Sequence, residues 1–199
     1  MLKSFNISKS YDQKIILKER NDSFIENEIT VIFGASGSGK STYLKILSGL
    51  LKQDSGDLFF FEKLIEKNEL KNFYTKNCFY ISQTPFFFND IRIKEYLNLF
   101  KNNFNSENFS ELIEIFELNE FYEFYPFNLS GGQKYRLALV LSLISKKKIL
   151  FWDEPTANID FEIKNKIFNY LKKNILGKII IISSHDNFFL NKKYKNTFI

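Results

Sequence analysis

Eight consecutive residues, Gly34-Ala35-Ser36-Gly37-Ser38-Gly39-Lys40-Ser41, set three glycines, a lysine and a terminal hydroxyl at spacings that suit a phosphate group. Glycines let the backbone bend so that several N–H groups point inward at phosphate oxygens. Lys40 supplies a point charge to β- and γ-phosphates, and Ser41 offers a hydroxyl to Mg2+. Upstream, the apolar run at residues 29–33 ends at Gly34, as a buried strand feeding a tight loop does. Downstream, Leu44, Ile46, Leu47, Leu50 and Leu51 recur at helical spacing. Strand, loop and helix form the context this phosphate-binding loop requires, and the helix adds its positive end. A chance Gly/Ser loop ahead of a lysine would have neither flank.

The metal of a bound nucleotide needs an acidic partner. Ile149-Leu150-Phe151-Trp152-Asp153-Glu154 offers one, a compact apolar strand with two carboxylates at its carboxyl end, where α/β sheets place their ligands. Asp153 suits Mg2+, directly or through water. Glu154, one residue on, can face the γ-phosphate and polarise an attacking water. Alone, Asp-Glu after a strand reads as a solvated turn; beside a phosphate loop it reads as a site. A third segment, Leu129-Ser130-Gly131-Gly132-Gln133, precedes a helix. Ser130 and the amides of Gly131 and Gly132 then make a second anion-binding terminus. With one cradle already present, the second is most useful closed over a nucleotide held by another copy.

Other segments position these groups. Residues 2–7, 57–61 and 79–82 read as strands, the first followed by a polar turn holding Tyr11. Residues 93–100 and 111–116 read as helices joined by a polar stretch at 102–110. Helical spacing returns at 130–145 and 163–173, strands at 149–152 and 179–183, and a short helix start at 187–190. The alternation implies a mainly parallel sheet with crossovers, a helical segment being inserted at 86–129. Residues 1–199 thus read as one α/β domain, with a core of 1–85 and 130–199.

Composition narrows the class. With 44% hydrophobic and 26% charged residues in 199, the chain is globular and holds one substantial core. A net charge of +5 is modest: it is compatible with an anionic membrane surface or nucleic acid but is no recognition signal in itself, and Lys146-Lys147-Lys148 and Lys192-Lys193 read as solvated. The single Cys78, in an apolar run, excludes an internal disulfide and reads as a buried thiol. No apolar stretch approaches the roughly 20 residues that span a bilayer, so any membrane role is expected to be peripheral.

Taken together, these motifs resemble the ATPase domain of the ATP-binding cassette superfamily, over about Leu2 to about Leu190. The resemblance makes residues 34–42, Thr42 included, the Walker A element, residues 149–154 the Walker B element, and residues 129–133 the signature motif. It implies a P-loop fold with an amino-terminal antiparallel β portion and an inserted helical subdomain. Gln83 matches the Q-loop glutamine that reaches Mg2+ and senses the transport domain. Ala157-Asn158-Ile159-Asp160 matches the D-loop, with Asp160 crossing the dimer interface. His185, the sole histidine, matches the switch histidine at the γ-phosphate, and Tyr11 the aromatic that stacks on adenine. Tyr135 departs from the pattern, where a polar residue is commoner. The chain also ends soon after His185, where many cassettes continue, which leaves little room for a regulatory domain.

By this resemblance two copies, or a pair of related cassettes, sandwich two ATP molecules, each between one P-loop and the other subunit's signature motif. The implied role is ATP hydrolysis with Mg2+, driving a separate transmembrane permease from the cytoplasmic face of the membrane, with no nucleic acid involved. Phe86, Phe87 and Phe88 either line the permease groove or form a buried cluster. A cassette that regulates a membrane or envelope complex without transport stays open as the alternative.

Overall fold

The computed structural model describes residues 1–101, 106–157, 159–175, 177–190 and 194–199. The chain divides into two compact units, one of Met1–Tyr80, Lys147–Glu154 and Leu176–Ile199, the other of Ile81–Lys146 and Pro155–Ile175.

The first unit carries two sheets. β1 (Leu2–Tyr11), β2 (Lys14–Phe24), β4 (Ser55–Phe60) and β5 (Lys63–Leu64) form an antiparallel sheet in the order β2-β1-β4-β5. β6 (Cys78–Ile81), β7 (Ile149–Asp153), β8 (Ile179–Ser184), β3 (Glu28–Phe33) and β9 (Lys195–Phe198) form a second, in that order. Its β7–β8, β8–β3 and β3–β9 pairs are parallel. Strands covered on both faces read as unbroken apolar runs rather than alternating ones. Ile179, Ile180, Ile181 and Ile182 of β8 are accordingly all buried, as are Ile149 to Trp152 of β7. One core joins Leu2, Leu17 and Phe24, Phe151 and Ile181, and Tyr43, Leu44 and Leu47 of α1 (Lys40–Ser48).

Register decides what this sheet presents. Ile149 pairs with Ile179 and Asp153 with Ser183, while Phe33 pairs with Ser184. The carboxyl ends of β3, β7 and β8 are therefore level, and Gly34, Glu154 and His185 emerge along one edge.

Several elements escape a pattern-based reading. β1 runs on to Tyr11, which pairs with Lys14 across a hairpin whose Asp12 and Gln13 both take positive φ, 46° and 67°. That twist matches a two-residue hairpin, though neither residue is the usual glycine. β2 lacks alternation, because mainly Leu17 and Phe24 are buried and register shifts interrupt its ladder with β1. α2 (Leu70–Asn77) buries Leu70 and Phe73 in an otherwise polar sequence. Residues 187–190 form no helix but consecutive turns; Asp186 Oδ1 accepts the Phe188 N–H at 2.9 Å and so competes with helical bonding. β9 was not anticipated. Beyond its pairing with β3, Arg20 anchors it through the Phe198 carbonyl (2.7 Å) and Thr197 Oγ1 (2.8 Å). Cys78 is buried, which pushes its thiol above the ordinary range. Lys192 and Lys193 lie outside the described residues.

Lys178 carries a measurable consequence. Burial, aided by the Lys148 charge, lowers its ammonium from 10.5 to about 8, while Nζ donates to the Lys147 carbonyl at 2.9 Å. Between those values the unfolded chain binds more protons than the folded one. This residue's contribution to stability is therefore lowest below about pH 8 and rises up to about 10.5. Lys178→Met is expected to gain about 2–4 °C in Tm over the parent at pH 7 per kcal/mol relieved. The gain should shrink toward pH 10.5 in paired calorimetric scans; a pH-independent difference would refute the assignment.

The second unit is helical: α3 (Ile93–Lys101), α4 (Ser106–Ile115), α5 (Gly131–Ile144) and α6 (Phe161–Asn174), with 3₁₀ turns at Asn119–Phe121 and Pro126–Asn128. α4 starts within the stretch expected to be a linker, of which residues 102–105 lie outside the described residues. α5 is buried along most of its length, from Tyr135 to Ile144. Arg136 donates to the Phe116 carbonyl at 2.8 Å and to Glu117 Oε2 at 3.2 Å, and Lys166 of α6 reaches Glu117 Oε1 at 2.9 Å. The Lys166 hydrogen bond holds the Glu117 carboxyl below its usual range. Of the three consecutive phenylalanines, Phe86 and Phe88 are exposed and meet edge to face at 5.5 Å, while Phe87 packs on Tyr96.

Candidate functional site

The loop after β3 closes a turn, with the Ser38 N–H on the Ala35 carbonyl at 3.2 Å, and then enters α1 at Lys40. Gly39 sits at φ 105°, and a Cβ there would lie 2.7 Å from Ile16 Cγ2. At Gly34 a Cβ would lie 2.4 Å from Ser38 Oγ and 2.7 Å from the Ile199 carbonyl oxygen. Both positions demand glycine, for different reasons: conformation at the first, room at the second. No side chain caps the amino terminus of α1, and its first turn holds no acidic residue. Its leading N–H groups are thus left for an external acceptor. Ser38 Oγ is buried without a hydrogen-bond partner in the same loop. An anion fits this environment.

Five side chains from three segments distant in sequence meet at this edge of the first unit. Lys40, only 6% exposed, donates to the Gly34 and Ala35 carbonyls at 2.9 and 3.0 Å. Its third neighbour is Glu154 Oε1 at 3.3 Å. Ser41 Oγ donates to Asp153 Oδ1 at 2.9 Å, pairing the hydroxyl and carboxylate that a hard cation takes as oxygen ligands. Glu154 turns off the strand at φ 52°, a left-handed conformation costing about 1–2 kcal/mol for a non-glycine residue. Ser183 sustains it, accepting the Glu154 N–H on its carbonyl and on Oγ, each at 3.1 Å. His185 Nδ1 lies 3.0 Å from Glu154 Oε2, its ring 59% exposed. Glu154 therefore stands between a lysine aimed at the loop and an exposed imidazole.

Two residues here lay outside the sequence reading. Ser183 Oγ donates to Asp153 Oδ1 at 2.6 Å, and the Tyr80 hydroxyl to Asp153 Oδ2 at 3.0 Å. Burial, and then the Asp153 charge, push the Tyr80 phenol up, which keeps it a donor at neutral pH. Strand register aligns Ser183 with Asp153, and no sequence signal announces that register. Tyr11, at the end of β1, exposes its ring, with Lys9 Nζ 5.3 Å from the centroid.

The remaining candidates belong to the second unit. Gln83 is exposed just beyond β6. Leu129 is buried, and Ser130 caps α5: its Oγ accepts the Gln133 N–H at 3.2 Å, and Gln133 Oε1 accepts the Ser130 N–H at 2.8 Å. Ser-x-x-Gln is itself a legible capping-box signal, and it gives Gln133 a definite structural task. Gly131 and Gly132 open the helix. Asp160 stands exposed at the start of α6 without a side-chain capping bond; its neighbour Asn158 lies outside the described residues. Among the described residues no group of three or more His, Cys, Asp or Glu side chains could hold a metal by itself. No described helix is long and apolar enough to cross a membrane.

The chain is similar to known proteins over most of its length. Residues 17–157 match the ABC transporter family. The cytochrome c biogenesis ATP-binding export protein CcmA of Reclinomonas americana is 37% identical, over 98% of this chain and 87% of its own length. The lipoprotein-releasing system ATP-binding protein LolD of Wigglesworthia glossinidia brevipalpis is 34% identical, over 99% and 92%. Among solved structures, the dimeric post-hydrolysis state of the ATP-binding cassette MJ0796 bound to ADP and Pi superposes with a TM-score of 0.78 at 28% identity, covering 94% of this chain and 88% of that one. A glycine-rich loop at the end of β3, a carboxylate pair ending β7, a histidine after β8 and these similarities lead to one conclusion: the chain belongs to the ABC transporter family and is an ATP-binding, ATP-hydrolysing subunit that drives transport.

Proposed function

We propose that the chain is the peripheral ATPase of a complex with a separate transmembrane permease, acting as a homodimer or paired cassette on the inner face of the membrane. The observation that carries this reading is the junction of Lys40, Glu154 and His185 beside the Ser41–Asp153 pair. Lys40 and the amides of residues 34–42 hold the phosphates, and Tyr11 stacks on adenine. Ser41, Asp153 and Gln83 would hold Mg2+, which would supply positive charge against the charge developing on the phosphate. Glu154 accepts a proton from the attacking water, and His185 steadies the γ-phosphate. Leu129 to Gln133 close over the nucleotide of the partner copy, and Asp160 lies at that interface. Residues 86–129 form the helical subdomain that faces the permease, where the exposed Phe86 and Phe88 offer apolar contact.

ATP favours the closed pair only in so far as it binds that state better than the open one. Sedimentation of the purified chain should accordingly show a monomer-to-dimer shift on adding ATP. The chain should also co-purify with a polytopic membrane protein that stimulates its turnover. Failure to pair or to release phosphate with magnesium and that membrane subunit present would overturn the proposal. A soluble nucleic-acid partner that stimulates turnover would redirect it.

A further inference from the structure

Three hydroxyl groups converge on one carboxylate. Ser41 Oγ and Ser183 Oγ reach Asp153 Oδ1 at 2.9 and 2.6 Å, and the Tyr80 hydroxyl reaches Oδ2 at 3.0 Å. Each comes from a different element. Asp153 ends β7, which lies between β6 and β8 in the sheet, so Tyr80 and Ser183 reach it from the strands on its two sides. Ser183 is fully buried and in register with Asp153. The Tyr80 ring stacks on Phe151, two residues before Asp153, with centroids 6.5 Å apart and planes 29° apart.

An aspartate carboxylate turns about a broad, nearly two-fold terminal torsion, so a single hydrogen bond leaves its plane poorly fixed. Donors on both oxygens, from opposite sides, fix it. Ser41 cannot be the permanent holder if its hydroxyl turns to a cation, as the proposed function requires. The proposed function assigns Tyr80 and Ser183 to neither phosphate nor metal. We propose that Tyr80 and Ser183 are positioning residues, which set the plane of the Asp153 carboxylate for the divalent cation of the nucleotide complex. This rests on the reading of Asp153 as the metal-facing carboxylate. Groups that orient a metal ligand typically account for about 10- to 100-fold in metal affinity or activity.

The discriminating measurement is metal binding, not turnover. Tyr80→Phe keeps the ring on Phe151 and removes only the donor. In the intact chain with a non-hydrolysable ATP analogue, Mn2+ titration followed by electron paramagnetic resonance should show about tenfold weaker binding in this variant. Nucleotide affinity in EDTA should be unchanged, and high Mg2+ should restore kcat. Ser183→Ala should likewise weaken Mn2+ binding, although it also loosens Glu154, so Tyr80→Phe carries the decision. Asp153→Asn separates the two possible failures. If it loses Mn2+ affinity while Tyr80→Phe does not, the positioning role is wrong and the metal role of Asp153 stands. If neither variant changes Mn2+ affinity, the reading of Asp153 itself falls.

Discussion

Replacing Glu154 with glutamine is expected to leave nucleotide binding intact, cut turnover by roughly 10²- to 10⁴-fold and accumulate a nucleotide-loaded dimer. Glutamine is nearly isosteric and keeps a carbonyl oxygen, so one neighbour of Glu154, Lys40 or His185, retains an acceptor. The left-handed backbone at this position is set by Ser183 and is no harder for glutamine than for glutamate. What is lost is the negative charge and the capacity to take a proton. Loss of the charge frees Lys40 from its 3.3 Å ion pair, so affinity for a triphosphate should hold or rise. Loss of the base should stop water attack, so that under the proposed function the γ-phosphate persists between the two copies. Phosphate release and sedimentation in the presence of Mg-ATP check both halves. Wild-type turnover in this variant would remove Glu154 from the role.

How much of this could be read from residues alone depends on what each element packs against. β3, β7 and β8 were legible because strands covered on both faces are dominated by apolar residues, and the loop after β3 was legible because Gly34, Gly37 and Gly39 answer to room and to positive φ. β2 was not, since its residues are mostly exposed or half-buried and its ladder with β1 is interrupted. β9 is fixed by long-range bonds, Arg20 to Thr197 and Phe198 and Ile199 to Phe33, that leave no periodic trace. The same division holds at the site. Lys40 and Ser41 stand out because they follow a glycine-rich loop, and Asp153, Glu154 and His185 because their residue types are chemically conspicuous at the ends of apolar strands. Tyr80 and Ser183 do not, because a tyrosine and a serine inside strands look like filler until sheet order sets them on either side of Asp153. Gln133 lies between these cases: its capping bond to Ser130 follows from spacing, though attention goes first to the glycines beside it.

The P-loop lysine should show the larger effect on affinity. Lys40→Ala is expected to weaken ATP binding by about 2–5 kcal/mol, or roughly 30- to 4,000-fold, the scale for truncating one partner of a buried charge pair. Two losses combine. The phosphates lose a buried ammonium, and the Gly34 and Ala35 carbonyls lose the donor that now holds them at 2.9 and 3.0 Å. In addition Glu154, 9% exposed at its side chain, is left without its cation and repels the incoming triphosphate. The Glu154 contribution can be separated from the other two. In a Glu154→Gln background the repulsion is absent, so the further change to Lys40→Ala should cost less than it does alone, and the difference is the coupling energy of the pair. Calorimetric titration of the four proteins closes this cycle. Unchanged affinity in Lys40→Ala would refute the phosphate cradle. Equal costs in both backgrounds would keep the cradle but show that Glu154 exerts no repulsion on the bound nucleotide.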